Sequence, residues 1–148
     1  MRSALLLLLS LALLLPLLSA CAEDVEGEGY VYSHAALDWR DGTSEDDKML
    51  VYLRYGTADD KALLDRFTLV HKGCKLFFNE GGFYRYVTAG GGVSEGTYRQ
   101  DGETVKCSGT VTDGLGDFKI KVSDGKITLL MRVDERLTVR FVYRELDD

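Results

Sequence analysis

The side chains of this chain best suited to chemistry are three cysteines, two histidines and a row of bases near the C-terminus. Cys74 and Cys107 could form one disulfide closing a 34-residue loop, which would stabilise by ~3–4 kcal/mol in the chain-entropy view. Both also sit in segments of alternating apolar residues, where a reduced thiol packs as a small hydrophobe. Bridge and free pair both stand open. His71-Lys-Gly-Cys74 holds two potential metal ligands, but a structural zinc needs four and no second pair accompanies them; they read as strand-end residues. His34 is alone among apolar neighbours. In Asp38–Asp47 the acids do not fit a calcium loop, because an EF-hand template puts its ligand positions on Leu37, Trp39 or Arg40. Ala89-Gly-Gly-Gly92 precedes no helix, so it reads as a hairpin turn and not a phosphate cradle. Lys119, Lys121, Arg132, Arg140 and Arg144 share the polar face of three successive strands. Around a pocket they would bind an anion; in water they are the ordinary outer face of a sheet. No acid, base or nucleophile arrangement supports catalysis, and nothing calls for a metal or cofactor. The expectation is a protein that is not an enzyme.

Cys21 is different, because of what precedes it. Arg2 leads an apolar run from Ala4 to Leu18, broken by Ser10 and ended by Pro16, the only proline in the chain. That run is shorter than the roughly 20 residues a transmembrane helix needs, so residues 1–20 read as a cleaved export signal. Its last residues, Leu18-Ser19-Ala20-Cys21, resemble the lipobox of bacterial lipoprotein precursors at all four positions. The resemblance implies that the Cys21 thiol takes a diacylglyceryl group, that cleavage falls before it, and that the new amino group is acylated. The protein would then be held on its membrane, since each buried methylene contributes about 0.8 kcal/mol. Ala20-Cys21-Ala22 also fits an ordinary A-x-A site, whose use would release a soluble secreted protein beginning at Glu23. Ala22 is not the aspartate associated with inner-membrane retention, which favours the outer membrane. Glu23-Asp24 looks like the acidic export signals of Bacteroidetes surface lipoproteins. Residues 21–29 are acidic and contain glycine, and are expected to form a disordered tether reaching up to ~28 Å.

Removing residues 1–20 leaves 128, enough for one core. The charge is then 17 basic (18 less Arg2) against 24 acidic, or −7, which argues against a nucleic-acid partner. Residues 21–65 carry 12 acids and 4 bases, net −8, and residues 66–148 carry 12 and 13, net +1. The acidity belongs to the tether and the first third of the domain, where it reads as a solubilising surface.

The second half has a regular beat. Turn signals fall at Asn79-Glu80-Gly81-Gly82, Gly90-Gly91-Gly92, Asp101-Gly102, Asp113-Gly114, Asp124-Gly125 and Asp134-Glu135, at steps of 10 to 12 residues. Such spacing with glycine turns marks consecutive antiparallel strands. Phe118, Ile120 and Val122 share one face; so do Ile127, Leu129, Met131 and Val133, and Leu137, Val139, Phe141 and Tyr143. With Lys75–Asn79, Phe83–Thr88, Gly96–Gln100 and Thr104–Val111 this makes seven strands in an up-and-down meander. A twisted sheet of that size with one apolar side should close into a small barrel, since closure removes exposed edges. In the first third, Tyr30–Ala36 and Lys48–Tyr55 read as further strands, and Trp39 lies in a turn. Thr57-Ala58-Asp59-Asp60 reads as a capping box starting one short helix near 58–66.

From about Lys75 onward the chain is similar to the lipocalin-like lipoproteins of Bacteroidetes. The likeness rests on Leu76-Phe77-Phe78-Asn79-Glu80-Gly81-Gly82-Phe83-Tyr84, on the hairpin Glu95-Gly96-Thr97-Tyr98-Arg99-Gln100-Asp101-Gly102-Glu103-Thr104-Val105, and on Phe118–Leu130 and Thr138–Glu145. It covers roughly 70 of 128 mature residues. It implies a lipocalin-like β-barrel over residues 30–148, lipid-anchored in the envelope and holding a small apolar or amphipathic ligand. The alternative is an envelope interaction protein with a filled barrel and no ligand.

Overall fold

Eight strands pair in simple sequence order and close into an antiparallel up-and-down barrel. They are β1 (Gly29–Trp39), β2 (Lys75–Asn79), β3 (Phe83–Val87), β4 (Val93–Asp101), β5 (Thr104–Gly109), β6 (Phe118–Ser123), β7 (Lys126–Arg132) and β8 (Leu137–Glu145). The computed structural model describes residues 22–109 and 117–147. The export signal, Cys21 and the Asp113-Gly114 turn lie outside the described residues. The meander expected for the second half is β2 to β8, and the described glycine turns join its strands. Asp124 and Gly125, both at positive φ (53° and 67°), make the two-residue turn between β6 and β7. Positive φ at both central residues gives a hairpin turn the right-handed twist its strands need.

β1 closes the barrel by pairing with β8 from Tyr30–Glu145 to Trp39–Leu137, and with β2 over Gly29–Val31 only. A bulge at Ser33–His34 shifts its register against β8. Before it Tyr30 and Tyr32 pack toward the core; after it Ala35 and Leu37 do. The bulge thus changes inward parity from even to odd numbers. Trp39 is the last residue of β1, and the turn expected there comes after it, with Gly42 at φ 82°.

The segment 48–55 is not a strand. It belongs to α1 (Glu45–Tyr55), and the single helix expected near 58–66 is the second of two, α2 (Asp60–Thr68). Ser44 caps α1, its Oγ accepting the Asp47 N–H at 3.1 Å, and Gly56 ends the helix in the left-handed conformation. The cap of α2 is Asp59, two residues beyond the Thr57 that opens the capping-box pattern; it accepts the Ala62 N–H at 2.8 Å. Val51, Tyr52 and Leu63 pack with Leu137, Leu37, Trp39, Tyr55, Phe67 and Val133 as a small second core over one end of the barrel. Trp39 Nε1 and the Tyr52 hydroxyl both donate to Asp60 Oδ1, at 2.9 and 2.8 Å, which ties β1, α1 and α2 together.

The opposite end holds the β2–β3, β4–β5 and β6–β7 turns. Here the tether expectation fails. Val25 is fully buried in the main core, between residues that bond the turns. Burial of one valine contributes about 1.5–3 kcal/mol, enough with its hydrogen bonds to hold a segment that composition alone would leave free.

Candidate functional site

Alternation along a closed barrel sends one set of side chains into the core and the other into water. Lys119, Lys121, Arg132, Arg140 and Arg144 belong to the outer set and are exposed. Arg140 reaches sideways to Asp38, Nη2 to Oδ1 at 2.9 Å, and Arg132 Nε donates to the Asp134 carbonyl at 3.2 Å. The basic row therefore faces solvent. Arg132 alone of the five lines a described cleft, of about 500 Å3, beneath the β7–β8 turn. The acids there are already engaged: Asp134 with Arg54 and Arg136, and Asp38 with Arg140.

Among the described residues two polar side chains are buried, His71 and Ser94, and His71 heads a hydrogen-bonded chain inside the barrel. His71, just past α2, is 7% exposed and stacks on Phe141 with ring centroids 3.8 Å apart. Its Nδ1 shares a hydrogen with the Tyr143 hydroxyl at 2.8 Å, and that hydroxyl lies 3.5 Å from the Tyr86 hydroxyl. Burial disfavours the charged imidazolium, lowering the His71 pKa to about 4. Tyr86 and Tyr143 are likewise driven well above the ordinary phenol range, by burial first. His71 is thus a neutral hydrogen-bonding core residue. Among the described residues no group of three or more His, Cys, Asp or Glu could hold a metal.

Cys74 and Cys107 are both free thiols, each 1% exposed. Cys74 Sγ donates to the Val70 carbonyl at 3.2 Å. Cys107 faces inward on β5, and burial pushes its pKa up to about 12. Cys107 should therefore stay a thiol at neutral pH. In the chain from Cys21 onward, Ellman's reagent is expected to find one reactive thiol in native buffer and three in denaturant; one thiol in denaturant would instead mean a Cys74–Cys107 bridge. His34 is exposed at the bulge, with Ser33 Oγ 3.2 Å from its Nδ1.

No family model matches the chain, and neither a curated protein nor a solved structure matches it.

The remaining cluster lies at the turn end and centres on Gln100, the last inward position of β4 before its turn. Gln100 Nε2 donates to the Glu23 carbonyl at 2.6 Å, and its Oε1 accepts the Val25 N–H at 3.1 Å. Glu23 also places both carboxylate oxygens 3.1 Å from the Gly125 N–H. Gly27 N–H donates to the Phe78 carbonyl at 2.8 Å, and Phe78 N–H donates to the Glu28 carbonyl at 2.9 Å. The side chains around this strap are acidic. Glu145 is hydrogen-bonded to Glu28, which holds its carboxyl above the usual range, with Glu23 and Asp147 adding to the effect. No local pattern in the chain announces this docking: its contacts bridge residues 75 and 102 apart. A lone valine among acids at 23–28 is the single hint.

Proposed function

We propose that this chain is a lipid-anchored protein of the bacterial cell envelope whose barrel is a filled scaffold presenting its outer surface to an envelope partner. What carries the second half of that reading is the barrel interior, where Tyr30, Phe78, Tyr84, Phe141 and Tyr143 are each at most 1% exposed and join one contiguous core. An eight-stranded barrel is just wide enough either for side chains to fill or for one small ligand, and the burial of these five aromatics in one core supports the filled form. The exposed Met49, Leu50 and Leu53 of α1 suit a protein that works through contact. The anchor half rests on the Leu18-Ser19-Ala20-Cys21 sequence.

Titration with a fluorescent fatty-acid analogue tests the interior: the expected result is no saturable binding up to tens of micromolar, and a stoichiometric curve would restore the carrier reading. For the anchor, Cys21→Ser is expected to move the protein from the membrane fraction to the soluble one and to abolish labelling by a fatty-acid probe. A wild-type protein whose intact mass shows cleavage after Ala22 would overturn it.

A further inference from the structure

We infer that the turn end of the barrel is its membrane-facing surface, so that the anchored protein stands upright on the lipid headgroups with α1 and α2 pointing away. This rests on the lipidation of Cys21 proposed above. A free leash over residues 21–29 would let the barrel drift up to ~28 Å from the membrane in any orientation. The strap removes that freedom. Glu23 is held by Gln100 and Gly125, Val25 is fully buried, and Gly27 and Glu28 are bonded to Phe78. Only two residue steps, ~7 Å at full extension, separate position 21 from the first pinned residue. The strap touches the β4–β5 turn, the β6–β7 turn and the last turn-side residues of β2, so the whole rim comes down with it. Asp24, Glu26, Glu28, Glu145 and Asp147 make this rim acidic, so the surface it suits is zwitterionic phospholipid; anionic headgroups would repel it.

Two indole positions read the orientation. Trp39 is the only tryptophan and lies at the helical end of β1. The 11 residues of β1 span roughly 33 Å, or about 25 Å along the axis of a tilted barrel. The double variant W39F/F83W moves the indole to the β2–β3 turn, where Phe83 is 57% exposed. The chain from Cys21 onward would be coupled through that thiol to maleimide-bearing lipid in phosphatidylcholine vesicles containing dansyl headgroups; Cys74 and Cys107 are buried and do not compete. Energy transfer to dansyl is expected to be several-fold stronger from W39F/F83W than from the unsubstituted protein. Adding E23A and Q100A, which frees the strap, should bring the two values together. Equal transfer without those changes overturns the inference. Neutron reflectometry of the unsubstituted protein needs no variant to fold: protein density should begin at the headgroups, and a hydrated gap of about 20 Å, within reach of a free leash, also overturns it. Because the coupling is chemical, this outcome is independent of whether cells lipidate Cys21, which Cys21→Ser reads separately.

Discussion

Gly96→Ala is expected to lower stability by about 3 kcal/mol or more, since backbone leaves less room to relax than a side chain does. In a domain of this size that is a fall of ~10 °C in Tm. Gly96 on β4 faces Gly109 on β5, and the Tyr84 ring lies across both. A methyl at Gly96 would meet the Ser108 carbonyl oxygen, and would lie 2.6 Å from Tyr84 Cε1 and 2.7 Å from Gly109 Cα. Two of those three neighbours are backbone of the paired strand. At Gly109 the conflict is with the Tyr84 hydroxyl alone at short range. Tyr84→Phe should therefore recover part of the loss in a G109A protein and little in G96A. Gly90→Ala is the control: its methyl meets nothing within 4 Å, and the change should stay within about 0.5 kcal/mol. Urea midpoints of these variants beside the unsubstituted protein check this, and a G96A protein as stable as G90A would show that the strands separate more easily than their packing indicates.

The second large effect is on acid stability. His71 has a pKa of about 4 in the fold, below its ordinary 6.5. Above pH 6.5 both folded and unfolded chains carry it neutral and its stabilisation is complete. As pH falls from 6.5 toward 4 the unfolded chain takes a proton that the folded one refuses, so stability drops. The full loss below pH 4 is ~3 kcal/mol, because each pH unit between the two pKa values is worth about 1.36 kcal/mol. His71→Phe keeps a ring over Phe141 and removes the titration. The informative quantity is the difference in unfolding free energy between pH 7.5 and pH 4.5, which should be larger in wild type by about 2 kcal/mol or more. Identical pH dependence in the two proteins would mean that His71 protonates in place.

Strands β2 to β8 are legible in the sequence because each is local: a turn with glycine, five to nine alternating residues, another turn. α1 looks like a strand for a physical reason. Only Val51 and Tyr52 of α1 are buried, while Met49, Leu50 and Leu53 are exposed, so its apolar residues trace no single helical stripe, and Met49-Val51-Leu53-Tyr55 imitates the period of a strand. The better signal lies at its ends, where Ser44 and Asp47 form an N-terminal cap and Gly56 ends the helix. The polar chain of the core is out of reach of any local pattern, because His71 meets Tyr143 across 72 residues and neither residue is unusual in its own neighbourhood. The strap is hidden the same way: composition describes what a segment cannot bury by itself, not what a distant glutamine can hold.

The seam between β1 and β8 also sets the order in which the molecule can be made. Of the eight described strands β1 is synthesised first, yet most of its length pairs with the eighth, Asp38 meeting Arg140 across 102 residues. The hairpins from β2 to β8 can zip one after another, while β1 waits unpaired beyond Val31 until the final strand arrives. Ring closure over so long a span carries a large entropic barrier and puts such a topology among the slower folders, at milliseconds to seconds. A chain that cannot close before its C-terminal strand exists completes its barrel only once that strand has been made.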